Sequence, residues 1–251
     1  MPHLQQDQPA GVPPLELTGE RTLPDVPEEN YWYRRHLAVY EWIAERVAGL
    51  SVADLACGEG YGSAVLAGSA AEVVGVDANP AAHEHARLRY ARPNLDFRRD
   101  LVESFAGPCD AIVFLQTIEH IADPGALLRG FAAAAPIAYV STPNRLTLAP
   151  KGAEKSDNPW HLREYTVAEY RDLLEPCFAE VEILGLFHAR KLHVHELALR
   201  AGWDRVHKAL GLTKPFYDRF TPAIAASDFV LRPEADADLD RALDFIAVCR
   251  A

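Results

Sequence analysis

The stretch Val52-Ala53-Asp54-Leu55-Ala56-Cys57-Gly58-Glu59-Gly60-Tyr61-Gly62 decides the fold. Ser51 to Cys57 is an apolar run and reads as a buried strand. Three glycines at alternate positions end it, and the small residues from Ser63 to Ala67 open a helix. A strand that turns sharply into a helix through glycines lets a ligand lie against bare backbone at a helix N-terminus. The pattern predicts a nucleotide-like cofactor bound there.

Outward from this stretch, strand and helix patterns alternate. Glu72 to Val76, Leu95 to Arg98, Ala111 to Leu115, Ile137 to Val140 and Val181 to Leu186 read as further strands, and Phe245 to Cys249 as a last one. Asn79-Pro80 and Asp123-Pro124 each pair an N-cap with a first-turn proline, and Thr166-Val-Ala-Glu169 is a capping box. Such alternation demands a mostly parallel sheet with helices on both faces. Residues 1–19 are Gln- and Pro-rich and read as a disordered tail. Residues 20–50 form a helical cap, with helical periodicity from Glu29 to Leu50. Residues 51–251 form the cofactor-binding domain, with a helical insertion over 189–225.

The chain has 251 residues, 49% of them hydrophobic, and a net charge of -11. Such an acidic chain has no general affinity for nucleic acid or an anionic membrane. No apolar run reaches the ~18 residues of a membrane span. No basic-then-apolar leader opens the sequence, so no secretory signal is expected. Four scattered cysteines without a C-x-x-C pair predict a reduced, cytoplasmic protein.

The acids choose the cofactor. A dinucleotide site uses G-x-G-x-x-G, whereas the spacing here is G-x-G-x-G with Ser63 following. Asp54 stands four residues before Gly58. A carboxylate there repels a pyrophosphate and attracts the ammonium of a methionine moiety, which points to S-adenosylmethionine. Asp77, 19 residues after Gly58, suits the ribose hydroxyls. Asp100 suits the adenine amino group, with the Leu101 amide beside the ring. Ala56, Gly58, Gly60, Gly62, Ala78 and Gln116 complete the expected cofactor contacts. Tyr33, with its neighbours Tyr31 and Trp32, closes over them from the N-terminal side.

These residues resemble class I S-adenosylmethionine-dependent methyltransferases. VADLACGEGYGS is similar to the family's first motif, VVGVDANPAAHEHAR to the second and FRRDL to the third. DAIVFLQTIEHIADPGALLRGF is similar to the fourth and YVSTPN to the fifth. The resemblance implies a Rossmann-like, seven-stranded sheet whose last strand, DFIAVCRA, is antiparallel. HLAVYEWIAERV, GERTLP…ENYWYRRH and STPNR…NPWHLREYTVAEYRDLL resemble bacterial and actinobacterial enzymes of glycan methylation. That implies O-methylation of a sugar hydroxyl on a saccharide or glycolipid. A small phenol, quinone or secondary metabolite is the alternative acceptor, and a non-catalytic cofactor-binding subunit a further one.

A sugar hydroxyl is a weak nucleophile, so a positioned base is expected at the carboxyl ends of the strands. His120 after the fourth strand and His161 in the long 142–165 loop are the candidates, with Glu119 as alternative base or orienter. Trp160, Arg163, Tyr165 and Tyr31 suit stacking on a sugar and hydrogen bonding to it. The insertion suits one wall of the acceptor site, where its cations could meet an anionic acceptor. Glu119, His120 and Asp123 could hold a divalent cation, as in some relatives, but no dense ligand motif supports one and none is expected. His83 with His85, and His193 with His195, are two apart, do not share a helix face and read as solvated surface.

Overall fold

The computed structural model describes residues 4, 5, 8–19 and 21–251. Part of the expected tail, residues 1–3, 6 and 7, and the cap's first residue Glu20 lie outside them. The described part of the tail packs: Val12 and Leu15 are buried, and Gln5 donates to the Pro24 carbonyl and to Glu59. The Gln- and Pro-rich composition conceals these few apolar anchors.

Helix α1 (Asn30–Ala44) precedes strand β1 (Ser51–Leu55), helix α2 (Tyr61–Leu66), β2 (Glu72–Val76), α3 (Pro80–Arg89), β3 (Leu95–Arg98) and β4 (Ala111–Phe114). Then come α4 (Pro124–Ala134), β5 (Ile137–Pro143), the short α5 (Arg145–Leu148), α6 (Val167–Leu174) and β6 (Glu180–His188). Three helices follow, α7 (Arg190–Arg200), α8 (Trp203–Ala209) and α9 (Thr213–Phe220), and the chain ends on β7 (Phe229–Pro233) and β8 (Asp244–Arg250). The expected caps form. The Asn79 side chain accepts from Ala81 and Ala82, Asp123 accepts from Ala126, and Thr166 and Glu169 close a capping box.

The sheet has eight strands rather than seven, in the order β3-β2-β1-β4-β5-β8-β6-β7. Strands β1 to β5 pair in parallel, and β8 runs antiparallel between β5 and β6, as expected of the last segment. The additional strand, β7, pairs antiparallel with Leu184–His188 at the sheet edge. Strand alternation divides the core in two. Val52, Ala111, Val113, Ile246 and Val248 face α1 and α2, packing on Val39, Tyr40, Ile43 and Leu66. Ala53, Leu55, Ile112, Phe114 and Val140 face the other way, onto Leu128, Phe131, Tyr170 and Leu174 of α4 and α6. No helix among the described residues is long and apolar enough to cross a membrane.

The chain runs outward from β1 to β3, then returns to β4 on the opposite side of β1. Such a reversal opens a crevice beyond the carboxyl ends of the two strands, the place where open α/β sheets bind ligands. Helix α1 is pinned across this end. The Arg35 guanidinium donates to both carboxylate oxygens of Asp244, at 2.6 and 2.5 Å, in a buried ion pair.

Candidate active site

The crevice is a cleft of about 370 Å³. The end of β1 supplies Ala56, Cys57, Gly58 and Glu59, β2 supplies Asp77, and the end of β4 supplies Leu115, Gln116 and Thr117. Arg21, Thr22, His36 and Tyr40 close it from the N-terminal side, with His120, Trp160 and Leu162 opposite. The turns are tight enough to push Ala56 to φ 58° and Gln116 to φ 52°, positive values that non-glycine residues adopt rarely. Asp77 is fixed at the rim: its Oδ2 accepts from the Gly58 amide and its Oδ1 from the Asn79 amide, both at 2.8 Å. A carboxylate pinned between a glycine turn and a helix start, beside bare backbone, is a donor set suited to ribose hydroxyls and an amino-acid moiety. The cleft therefore fits S-adenosylmethionine.

The three glycines divide the work. Gly58 has φ 58°, and a Cβ built there meets only the Arg21 Cβ, at 3.9 Å, across the cleft. At Gly60 a Cβ would lie 2.7 Å from the Ala86 Cβ, and at Gly62 it would fall onto the Tyr40 ring. Gly58 thus lines the cleft, whereas Gly60 and Gly62 let α2 pack on its neighbours. Of the three, only Gly58 is among the residues that line the cleft.

Asp54 is likewise displaced from its expected role. It is fully buried beneath the turn, where Oδ1 accepts from the Tyr40 hydroxyl at 3.2 Å and Oδ2 from the Ser63 hydroxyl at 2.6 Å. Strand alternation turns its side chain toward α1 and α2 rather than up the strand axis. Burial pushes its carboxyl up to about 7 against the pull of those two hydrogen bonds, and the charge of Asp77 adds to the rise. Asp100 and Leu101 are exposed and outside the cleft lining, and the Leu101 amide donates to Asp100 itself. Ala78 is exposed next to Asp77 but is not a lining residue. Tyr33 packs edge-on against Tyr61, which does line the cleft.

A second cavity of about 380 Å³ adjoins the first and shares Arg21, Thr22, His36, Gln116 and His120 with it. Trp32, Glu119, Pro143, Leu148, Ser156, Asn158 and His161 complete its principal walls. All three expected base candidates meet here. The His120 and His161 rings lie 5.0 Å apart, edge to face. His161 bonds through Nδ1 to Glu164 Oε1 at 2.6 Å, and its Nε2 is 3.0 Å from the Asn158 amide nitrogen. His120 Nδ1 is 2.8 Å from the Trp160 carbonyl. Glu119 is buried, accepts from the Thr142 hydroxyl, and through its carbonyl receives the Leu162 and Arg163 amides, which fixes the loop over β4. Burial pushes its carboxyl up to about 8, with Asp244 and Glu164 adding to the rise. Burial alone would raise Glu164, but hydrogen bonds from Ser156 and His161 outweigh that and hold it below its ordinary value. Burial drives the shared residue His36 down to about 4.

The expected acceptor contacts divide. Trp160 lines the first cleft and is 48% exposed. Tyr165 is buried in the core, and Arg163 stacks over its ring. Tyr31 bonds His188 and packs on Phe229. Neither cavity is lined by a described residue of α7, α8 or α9. Asp123 caps α4, apart from Glu119 and His120 in role. His85 is not solvated: it is wholly buried and holds Glu59 at 2.9 Å. The reading of the sequence missed Arg21, Thr22, Glu59, Asn158 and Glu164. The last stands three residues after His161, in a loop where no periodicity signals that the two meet.

A family model described as a methyltransferase domain matches residues 31–207. The chain is 40% identical to a probable S-adenosylmethionine-dependent methyltransferase of Mycolicibacterium smegmatis, over 93% of this chain and 94% of that protein. It is 33% identical to a ubiquinone biosynthesis O-methyltransferase of Stutzerimonas stutzeri over 36% of this chain and 43% of that protein. Among solved structures it is similar to a possible histamine N-methyltransferase of Thermotoga maritima, with TM-score 0.58 and 14% identity over 89% of this chain and 94% of that one. That last likeness concerns the fold.

Proposed function

Because this chain belongs to the S-adenosylmethionine-dependent methyltransferase family, we propose that it methylates a sugar hydroxyl of a saccharide or glycolipid. When bound, S-adenosylmethionine supplies a methyl group already activated by its sulfonium. The protein's part is to position an acceptor hydroxyl and draw off its proton. Alignment of that kind contributes up to ~7–11 kcal/mol to lowering a barrier, and a positioned base ~10²–10⁴-fold in rate.

The observation that carries the sugar reading is the character of the second cavity. Ser156, Asn158, Glu119, His120 and His161 offer hydrogen-bonding groups on several sides, and Trp32, 38% exposed, offers one aromatic face. A sugar presents the same combination of hydroxyl edges and an apolar face. The Glu164 carboxylate takes the Nδ1 proton of His161 in a hydrogen bond, which leaves Nε2 as the basic nitrogen. His120 and Glu119 stand beside it as the alternative proton acceptors. The four cysteines are free and fit a reducing, cytoplasmic setting.

The similarity to a ubiquinone biosynthesis O-methyltransferase over 36% of the chain favours a second reading, a phenolic or quinol acceptor. A panel of saccharides, glycolipids and catechols offered with methyl-labelled cofactor separates the two. Label in an alkali-stable sugar ether, abolished in His161→Ala, is the expected outcome. Label on catechols alone would reverse the order.

A further inference from the structure

We propose that Glu119, His120 and His161 hold one divalent transition-metal ion in the wall of the second cavity. This deepens the methyl-transfer reading and rests on it for the identity of that cavity as the acceptor pocket.

One ligand atom from each of the three side chains lies within 4.8 Å of the other two. Metal–ligand bonds of about 2.0–2.2 Å place neighbouring donor atoms roughly 3–3.5 Å apart, so the three must close by up to about 1.3–1.8 Å. The hydrogen bonds select the tautomers that ligation needs. The Trp160 carbonyl can only accept, so His120 Nδ1 carries the proton, and in the neutral ring the lone pair lies on Nε2. The Glu164 carboxylate does the same for His161, whose Nε2 lone pair accepts from the Asn158 amide at 3.0 Å, a bond that an ion would replace. A ring nitrogen donating to a carboxylate or carbonyl is the contact that orients metal-bound imidazoles. Two imidazoles and one carboxylate suit Zn²⁺, Co²⁺, Fe²⁺ or Mn²⁺ better than Mg²⁺ or Ca²⁺. Three protein ligands leave positions open toward the cavity.

An ion there would polarise the acceptor O–H as a Lewis acid. With His161 Nε2 on the ion, the ion takes over the part given to that nitrogen as base in the metal-free site, and the proton leaves to water in the open cavity. The oxygen forms its bond to the methyl carbon as the carbon–sulfur bond breaks, and that electron pair stays on sulfur.

The test uses the full chain, stripped with a chelator and titrated with Co²⁺, read by the visible absorption of the bound ion and by metal analysis. One Co²⁺ per chain is expected. His161→Ala, His120→Ala and Glu119→Gln each weaken binding at least ~10-fold, as loss of a ligand must, and Glu164→Gln weakens it by about 10–100-fold through His161. Asp123→Asn, which keeps the α4 cap, leaves Co²⁺ binding unchanged. Absence of a Co²⁺ spectrum in the wild type, or the same affinity in His161→Ala and His120→Ala, overturns the proposal. Calorimetry with S-adenosylhomocysteine on the same samples reports folding and the cofactor site separately. Uptake of that compound without Co²⁺ rejects the ion alone. Uptake of Co²⁺ without that compound rejects the methyl-transfer reading instead.

Discussion

Replacing the three glycines of the turn by alanine, one at a time, should separate stability from cofactor affinity. At Gly58 the backbone is left-handed, φ 58°, and the added methyl meets only the Arg21 Cβ. The conformational cost is ~1–2 kcal/mol. For a chain of this size that lowers the melting temperature by about 2–8 °C. The methyl then occupies space in the cleft, and overpacking of ~1–3 kcal/mol weakens cofactor binding about 5- to 150-fold. Gly62 has no such φ, but its methyl falls onto the Tyr40 ring. That ring is wedged against Tyr61 and bonded to Asp54. Overpacking plus the lost hydrogen bond comes to ~3 kcal/mol or more, a drop of about 6–12 °C. Well below its melting point, Gly62→Ala should still bind the cofactor within a few-fold of wild type. Gly60→Ala combines a left-handed φ of 96° with a close approach to Ala86, and belongs with Gly62. Thermal melts and calorimetry with S-adenosylhomocysteine read the two axes. Unchanged affinity in Gly58→Ala would refute the assignment of the cleft, and an unchanged melt in Gly62→Ala would refute the packing argument.

Three further outcomes follow from buried polar groups. Asp54 is raised from 3.8 to about 7, so between those values the folded chain holds a proton that the unfolded chain has lost. Stability from this group is full at low pH and falls as pH rises through about 7, with Glu119 adding a fall in the same direction toward about 8. Asp54→Asn should flatten the first of these slopes, measured as denaturation midpoints across the window, and an unaltered slope would contradict the burial argument. Asp244→Ala strands the buried Arg35 guanidinium and should cost ~3–5 kcal/mol in a denaturant titration, whereas a loss below ~1 kcal/mol would mean that water reaches Arg35. The buried Tyr170 hydroxyl has no hydrogen-bond partner among the described residues, so Tyr170→Phe should be stabilising by up to ~1–3 kcal/mol, and clear destabilisation would reveal a partner.

What the sequence disclosed, it disclosed through local rules. Asn79-Pro80, Asp123-Pro124 and Thr166-x-x-Glu169 are caps whose signals span a few residues, and each forms as read. The glycine turn and the reversal beside it located the cleft for the same reason. The errors lie where a side chain's role depends on which distant residue it meets. Asp54 has the sequence position of a ligand contact, but Tyr40 and Ser63 enclose it. Gly60 and Gly62 look like ligand glycines and serve Ala86 and Tyr40. Glu59, flanked by glycines, anchors His85, Tyr90 and Gln5. Strand β7 exists through its pairing with β6, and its five residues end in a proline that argues locally against a strand.

The most direct test of the account is a crystal structure of the chain with S-adenosylhomocysteine. The prediction is a ligand in the cleft between the tips of β1 and β4, its ribose hydroxyls on the Asp77 carboxylate, with Asp54 still enclosed by Tyr40 and Ser63. A ligand bound elsewhere, or one reached by Asp54 in place of Asp77, would contradict it.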